Sequence, residues 1–286
     1  MMTGFTLSFP IASVTWDGGA IRKIPAAAIS ASLDLLQRCD VNEVMVSGYH
    51  LEEPADFDMN AETGRLGAEL KQRGMVAAQH HGLCATYAPL DGPRQDVIDH
   101  LRRSIDFTAN LGARVLVLHP GRSLGRFGTV AAFCQFIEKE CARYGRERVL
   151  EACAANLWSA GEHARRSNVL IALENLDRFE PFGNPVDLPE LIGLVDHPAV
   201  GYCLDTGHAH CAGNSILEWI RIMGPKIFTT HFHDNHGPDD AMRNTAGLLH
   251  DHAMDEHLPP GFGTISWVDV IVAMMRMGYS GTVNFE

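Results

Sequence analysis

Several absences narrow this chain before anything it contains does. No C-x-x-C pair occurs among its seven cysteines, and their number is odd. Several, such as Cys203 in GYCLD, lie inside apolar runs, which reads as reduced, buried thiols in a cytoplasmic protein. No apolar run approaches the roughly 18 residues a membrane helix needs. The opening MMTGFTLSFP lacks a basic region followed by a long apolar one, so no signal peptide is expected. Basic residues are few: 23 Lys and Arg stand against 35 Asp and Glu, a net charge of −12. That balance argues against a dedicated nucleic-acid surface. No Pro/Gly/Ser-rich linker divides the chain.

What is present is a regular alternation. A chain of 286 residues with 46% hydrophobic content can bury one large α/β barrel or two smaller domains. Apolar, β-branched runs predict strands at Thr6–Phe9, Glu43–Val46, Val76–His80, Arg114–His119, Val169–Glu174, Gly201–Asp205, Ile227–His233 and Gly281–Glu286. Between them, helical patterns run over Pro25–Gln37, Ala61–Arg73, Pro93–Asn110, Thr129–Tyr144, Arg148–Ser167, Pro189–Val195, Ser215–Met223 and Ile265–Met277. This (βα) repeat predicts a single (β/α)8 barrel over residues 1–286, with an open doubly wound sheet as the rival. As written, the sequence stops on the eighth strand, so the barrel is expected to lack its final helix. The resulting apolar seam would be covered by a partner copy or by connecting loops.

Nine acidic and histidine residues sit at or just past the strand ends: His81, His119, Glu174, Asp205, His208, His231, Asp255, His257 and Glu286. An open sheet places its site at one switch point, whereas these residues follow at least six different strands, as a closed ring with its site at the carboxyl face requires. Carboxylate and imidazole together suit a divalent cation of the Zn, Mn, Mg or Co kind. Glu174 and Glu286 each close an apolar strand, where a carboxylate is costly unless paired or bound to metal. Asp205 and His208 form a D-x-x-H step that presents both side chains to one ion. His231 and His233 point the same way by strand alternation, so alternation does not choose between them; His80 and His81 also stay unseparated. His50, His100, His163, His197, His250 and His252 read as surface or loop residues. The HPGRSLGRFG stretch, with Arg122 and Arg126, is a weak phosphate-cradle signal.

The segments HPG at 119–121, LEN at 173–175, LDTGH at 204–208, HFHD at 231–234, DEHLPPGFG at 255–263 and the final FE resemble the xylose isomerase-like TIM barrels. That superfamily holds endonuclease IV-type AP endonucleases and many sugar isomerases and epimerases; the HDNHG and HLPPGxG patterns are most similar to its sugar phosphate isomerase/epimerase branch. The resemblance runs from about the third strand to the last residue. It implies one ion held by Glu174, Asp205, His231 and Glu286, as in ketose 3-epimerases, with the two glutamates moving the proton. In endonuclease IV relatives, the positions of all nine residues hold three zinc ions. His208 and Glu180 match substrate-contacting positions of the epimerases. His231 is preferred to His233 because Asp234 then falls on the family's aspartate. The chain departs from the epimerases in lacking an Arg soon after HFHDN, and from endonuclease IV in lacking basic, aromatic-interleaved DNA-binding loops.

The expected activity is therefore a metal-dependent isomerase or epimerase of a sugar or polyol-derived keto compound, with proton transfer through a metal-stabilised ene-diolate. His81, His119, His208, Asp255, His257 and Glu180 would bind substrate or a second ion. The rivals are a zinc-dependent AP endonuclease-like phosphodiesterase, an inosose-type dehydratase or lyase, and a barrel that binds without catalysis. The expected partner is a small carbohydrate, with neither a membrane nor a nucleic acid expected. Substrate choice falls to the loops Trp16–Ile24, Gly48–Asn60 and Asp177–Val186.

Overall fold

Each predicted apolar run becomes a parallel strand of one ring. The computed structural model describes residues 6–12, 14–17, 20–49, 58–82, 84–121, 130–176, 181–238 and 255–286, without the side chains of 12–23, 48–49 and 130–131. Its ring strands are β1 (Thr6–Ala12), β4 (Glu43–Tyr49), β5 (Val76–Gly82), β6 (Val115–Leu118), β7 (Leu170–Glu174), β8 (Val200–Asp205), β9 (Ile227–His231) and β10 (Thr282–Asn284), and they lie in the order β10-β1-β4-β5-β6-β7-β8-β9. Every pairing in this sheet is parallel, so all eight carboxyl ends face one mouth. The ring closes through a bridge between Phe232 and Phe285: Phe232 N donates to Asn284 O at 2.7 Å, and Glu286 N to Phe232 O at 3.3 Å. This is a (β/α)8 barrel, and the open-sheet alternative is excluded by that closure. A short antiparallel hairpin, β2 (Val14–Asp17) with β3 (Ala20–Lys23), follows the first strand and was not expected.

The helices fall where the periodicity puts them, within one to three residues at most ends: Ala26–Arg38, Met59–Gln72, Arg94–Leu111, Val130–Tyr144, Arg146–Arg166, Asp187–Val195, Ile216–Met223 and Trp267–Met277. Local chemistry sets the ends. Asp58 and Ser215 accept from the amides of Ala61 and Glu218 as N-caps, and Gly112, at φ 84°, ends its helix in the left-handed region. The main core lies between these helices and the outer sheet face, around Leu101, Ile105, Leu116, Leu157, Leu173 and Leu204. His197, expected at the surface, is buried there instead: it packs on Gly161, where a Cβ would strike its ring, and pairs with Glu162 at 3.1 Å. Among the described residues, no helix is long and apolar enough to cross a membrane.

Strand alternation decides which side chains enter the ring. Small or uncharged residues fill its floor: Val115, Val117, Ala172 and Cys203 pack together, and Gln79 and Asn284 donate to Met45 Sδ at 3.1 and 3.4 Å. The next inward positions toward the mouth are His81, His119, Glu174, Asp205, His231 and Glu286. The opposite face of β1 and β10 carries Leu7, which is 48% exposed, and Phe9, whose ring lies 5.1 Å from that of Phe285. Beside them lies a groove of about 450 Å³ lined by Phe9, Pro10, Phe232, Leu258, Pro259, Pro260 and Phe285, with His257 and Glu286 at its edge.

Candidate metal centre

All nine strand-end residues meet at the barrel mouth. Glu174, fully buried at the tip of β7, is the hub. Its Oε2 lies 3.2 Å from His81 Nε2 and 3.3 Å from His119 Nε2. Its Oε1 lies 3.1 Å from His208 Nδ1 and 3.3 Å from His231 Nδ1. His231 Nδ1 is also 2.8 Å from Glu286 Oε2 and 3.9 Å from Asp205 Oδ2. The four residues expected to share one ion thus converge on a single imidazole nitrogen.

Asp205 also shapes the backbone. Its carboxylate accepts from His208 N at 2.6 Å as the N-cap of a one-and-a-half-turn helix, Thr206–Cys211, which the sequence reading did not anticipate. That cap turns the D-x-x-H step into a fixed geometry. Asp255 and His257 arrive from the loop after β9. Asp255 lies 3.3 Å from His208 Nε2 and 3.0 Å from His257 Nε2, and His257 takes a left-handed φ of 47°, a strained value for a non-glycine residue.

The two open choices resolve differently. His81 faces the mouth. His80 faces the outer layer, its Nδ1 2.9 Å from Thr108 Oγ1 and its ring 4.6 Å from that of Phe107. His231 and His233 both enter the site, as alternation demands: His233 Nε2 lies 3.1 Å from Asp205 Oδ1, and its ring stacks on His257 at 4.0 Å and 7°. Choosing His231 alone therefore leaves out a tenth member. Glu180 and the Arg122/Arg126 stretch lie outside the described residues, as do His50, His250 and His252.

The electrostatics are those of a cation site. Burial raises the cost of the charged Glu174, yet the His231 and His119 imidazoles hold its carboxyl well below the usual range. Glu286 behaves likewise, burial opposing and His231 pulling its carboxyl down. Burial disfavours the charged form of His231, but Cys203, Glu286 and Glu174 push it well above an ordinary imidazole. For His208 the same burial is overcome by Asp205 and Asp255. Taking such charges out of water costs several kcal/mol each unless they are compensated. Compensation by hydrogen bonds is incomplete: Glu174 Oε1, His231 Nδ1, His233 Nδ1, Asp255 Oδ1 and Glu286 Oε2 are all buried without one.

Donor atoms fall into mutually adjacent sets: His81–His119–Glu174, His81–His231–Glu286, Asp205–His208–His233 and His233–His257–Glu286, each within 4.8 Å. Ligand atoms around a tetrahedral ion with bonds of 2.0–2.1 Å lie about 3.3 Å apart. The contacts of 2.8–3.9 Å around His231 bracket that spacing. Nitrogen and carboxylate donors, with orphaned lone pairs facing inward, fit a divalent cation.

Comparison with known proteins agrees with this fold. Among curated relatives, an uncharacterised protein of Methanocaldococcus jannaschii is 26% identical over 254 residues, covering 86% of this chain and 74% of that one. A protein named "Probable endonuclease 4" from a Geobacillus strain is 26% identical over 179 residues, 59% of this chain and 51% of its own length. The chain thus spans about half the length of the endonuclease relatives it matches. Among solved structures, 3-keto-D-glucoside 4-epimerase of E. coli superposes with a TM-score of 0.68 at 13% identity, over 99% of this chain and 92% of that one. A D-tagatose 3-epimerase-like protein gives 0.64 at 18% identity, over 96% and 89%. The IOLI protein with a bound zinc atom gives 0.64 at 17%, over 98% and 88%. The model of the xylose isomerase-like TIM barrel family matches residues 33–286, and the chain belongs to that family.

Proposed function

We propose that this protein is a divalent-metal-dependent isomerase or epimerase of a small sugar or polyol-derived ketone, with Glu174 and Glu286 exchanging the proton. The observation that carries this reading is the approach of both glutamates to His231 Nδ1, at 3.3 and 2.8 Å, from strand ends on either side of it. Glu174, Asp205, His231 and Glu286 would hold the ion, and when bound it would polarise adjacent carbonyl and hydroxyl oxygens of the substrate.

The two carboxyls are held ionised, which a base requires. A carboxylate of low basicity abstracts a proton only from a carbon that is already acidified. The substrate must therefore carry the reacting C–H beside a carbonyl. Glu174 and Glu286 stand close enough to the same point for one to take the proton and the other to return it on the opposite face. His208 sits against Asp205, Glu174 and Asp255, which push it well above an ordinary imidazole, and it would steady a substrate hydroxyl at the mouth. Glu174 and Asp205 are fully buried, so exchange of their carboxylates with bulk water is restricted.

The test is incubation of the metal-loaded protein with a panel of keto sugars and inososes in D₂O. Carbon-bound deuterium in recovered substrate or product supports the reading, and loss of water from the substrate instead marks a dehydratase. No exchange with any ketone, across Mn, Mg, Co and Zn, counts against both.

A zinc phosphodiesterase of the endonuclease kind is the second reading. It is favoured by one observation: the donor sets at the mouth are numerous enough for more than one ion. The net charge of −12 weighs against a DNA substrate. Nicking of an abasic plasmid by the zinc-loaded protein decides it.

A further inference from the structure

β7 and β8 end at different heights. Glu174, the last residue of β7, pairs with Cys203, and β8 continues past that point to Asp205. Asn175 N still donates to Cys203 O at 3.4 Å, but Leu176 N donates to Gly183 O at 2.9 Å, so the chain after β7 has turned away. In a strand the N–H and C=O of one residue point to the same side. Those of Asp205 point to the space that β7 has left. Asp205 is fully buried, so both groups need a partner.

Asn175 supplies both. Its Nδ2 donates to Asp205 O at 2.9 Å, and Asp205 N donates to its Oδ1 at 2.8 Å. The side-chain amide stands in for one more peptide unit of β7 and adds a rung to the sheet. Only an amide offers a donor and an acceptor side by side in this way; aspartate would turn a second acceptor on Asp205 O. Asn175 is itself fully buried.

Fixing the Asp205 peptide fixes what its side chain reaches. Its Oδ1 accepts from His208 N and starts the helix Thr206–Cys211. Its Oδ2 lies 3.9 Å from His231 Nδ1, the atom that Glu174 Oε1 approaches to 3.3 Å. His208 Nδ1 lies 3.1 Å from both Asn175 O and Glu174 Oε1. Asn175 thus joins Glu174 through the peptide bond, Asp205 through two hydrogen bonds and His208 through its carbonyl. The rest of the helix is held from the other side, where Asn235 Nδ2 donates to Gly207 O at 2.9 Å and to Cys211 Sγ at 3.0 Å.

We propose that Asn175 is a positioning residue: its amide extends the β7–β8 ladder by one rung and so places the Asp205 carboxylate, and the helix it caps, relative to Glu174. Like charges on neighbouring strands repel. The rung holds these two carboxylates together before a cation arrives, so the fold and not the ion opposes their separation. Asn175 carries no charge, and its side chain acts through the Asp205 peptide. The inference rests on the metal centre and not on the reaction assigned to it.

The test reads position first and metal second. Amide hydrogen exchange is followed by NMR in chelator-stripped full-length protein, which is then titrated with zinc by calorimetry. In Asn175→Ala the Asp205 and His208 amides are expected to exchange at least about 10-fold faster, while Ala172 and Leu173 within β7 keep their protection. Zinc affinity is expected to fall about 10- to 100-fold, the loss that follows when the partner orienting a ligand is removed. Asn156→Ala removes another buried asparagine, one that donates to Thr86 O at 3.1 Å in the outer layer. It is expected to lower the unfolding midpoint and to leave both readouts within about twofold of wild type, which separates lost stability from lost position. Unchanged exchange at Asp205 and His208 in Asn175→Ala overturns the proposal, as does wild-type zinc affinity beside faster exchange. If that variant fails to fold, the wild type decides: an unprotected Asp205 amide in the metal-free protein also overturns it. Faster exchange in the variant of a protein that takes up no zinc would remove the metal reading and leave Asn175 as the residue that places Asp205.

Discussion

His231 Nδ1 and Glu286 Oε2 lie 2.8 Å apart across the point where the barrel closes. One residue ends β9 and the other follows β10, and the bridge between Phe232 and Phe285 locks the two segments in register. Closure of the ring therefore also brings these two candidate metal ligands together. Glu286→Gln keeps the shape but removes a charge that His231 faces. It is expected to weaken metal binding at least about 100-fold and to reduce proton exchange at least about 1,000-fold, with far-ultraviolet circular dichroism unchanged. Wild-type zinc affinity in this variant would detach Glu286 from the ion.

Metal binding should release protons. Without an ion, Asp255 outweighs burial and raises His257 to about 9, while His231 and His208 are held well above their ordinary value. A ligand nitrogen must be deprotonated, so proton and cation compete. Affinity should therefore rise with pH on the approach to about 9, where His257 loses its proton. Calorimetry at pH 7 in buffers of different ionisation enthalpy should show proton release on zinc binding. Buffer-independent heats would show that these imidazoles are not ligands.

Removal of metal should destabilise the fold, because the charges it compensates stay buried. A site saturated at 100 times its dissociation constant adds about 2.7 kcal/mol. The unfolding midpoint should therefore fall by several degrees on treatment with chelator and recover on adding zinc. An unchanged midpoint at saturating zinc would mean that no tight ion binds the native state.

His80 carries a separate pH dependence. Burial, reinforced by the neighbouring His81, lowers it to about 3, so it is neutral in the folded state. The unfolded imidazole protonates near 6.5. Between those values the unfolded state binds the extra proton, so stability falls as pH drops from 6.5 toward 3. His80→Asn, which keeps a polar group toward Thr108, should flatten this part of the stability–pH curve in denaturant titrations. An equally steep curve in the variant would assign the acid sensitivity to other groups.

The strands and the nine mouth residues were legible because each signal is local. A β-branched run ending in a carboxylate or imidazole, as in VLIALE and GYCLD, fixes a strand and its tip together. The parity of an inward position follows from the floor residues: Ala172 and Cys203 are small, and the next inward places are Glu174 and Asp205. The same parity counts His231 and His233 equally, and both side chains reach the mouth. The helix at Thr206–Cys211 was missed because it depends on one side-chain cap and carries no apolar periodicity. The β2–β3 hairpin was missed because strands of four residues give too short an alternation to detect.

Asp234 shows how the mouth is held from outside the candidate ligand set. Its Oδ2 accepts from Gly261 N at 2.9 Å and from Trp267 Nε1 at 2.8 Å; its Oδ1 accepts from Ile265 N at 3.2 Å. Its backbone pairs with Leu258 in both directions. This single carboxylate therefore ties β9 to the loop that delivers Asp255 and His257, and its charge is stabilised by donors from that loop. Asp234→Ala strands these donors and should cost about 2–4 kcal/mol in unfolding free energy, since each unsatisfied buried donor costs about 1–3 kcal/mol. Zinc held through Asp255 should be lost while zinc at Glu174, His231 and Glu286 is kept. Full metal content with a loss of only a few tenths of a kcal/mol would show that the loop holds its place by packing alone.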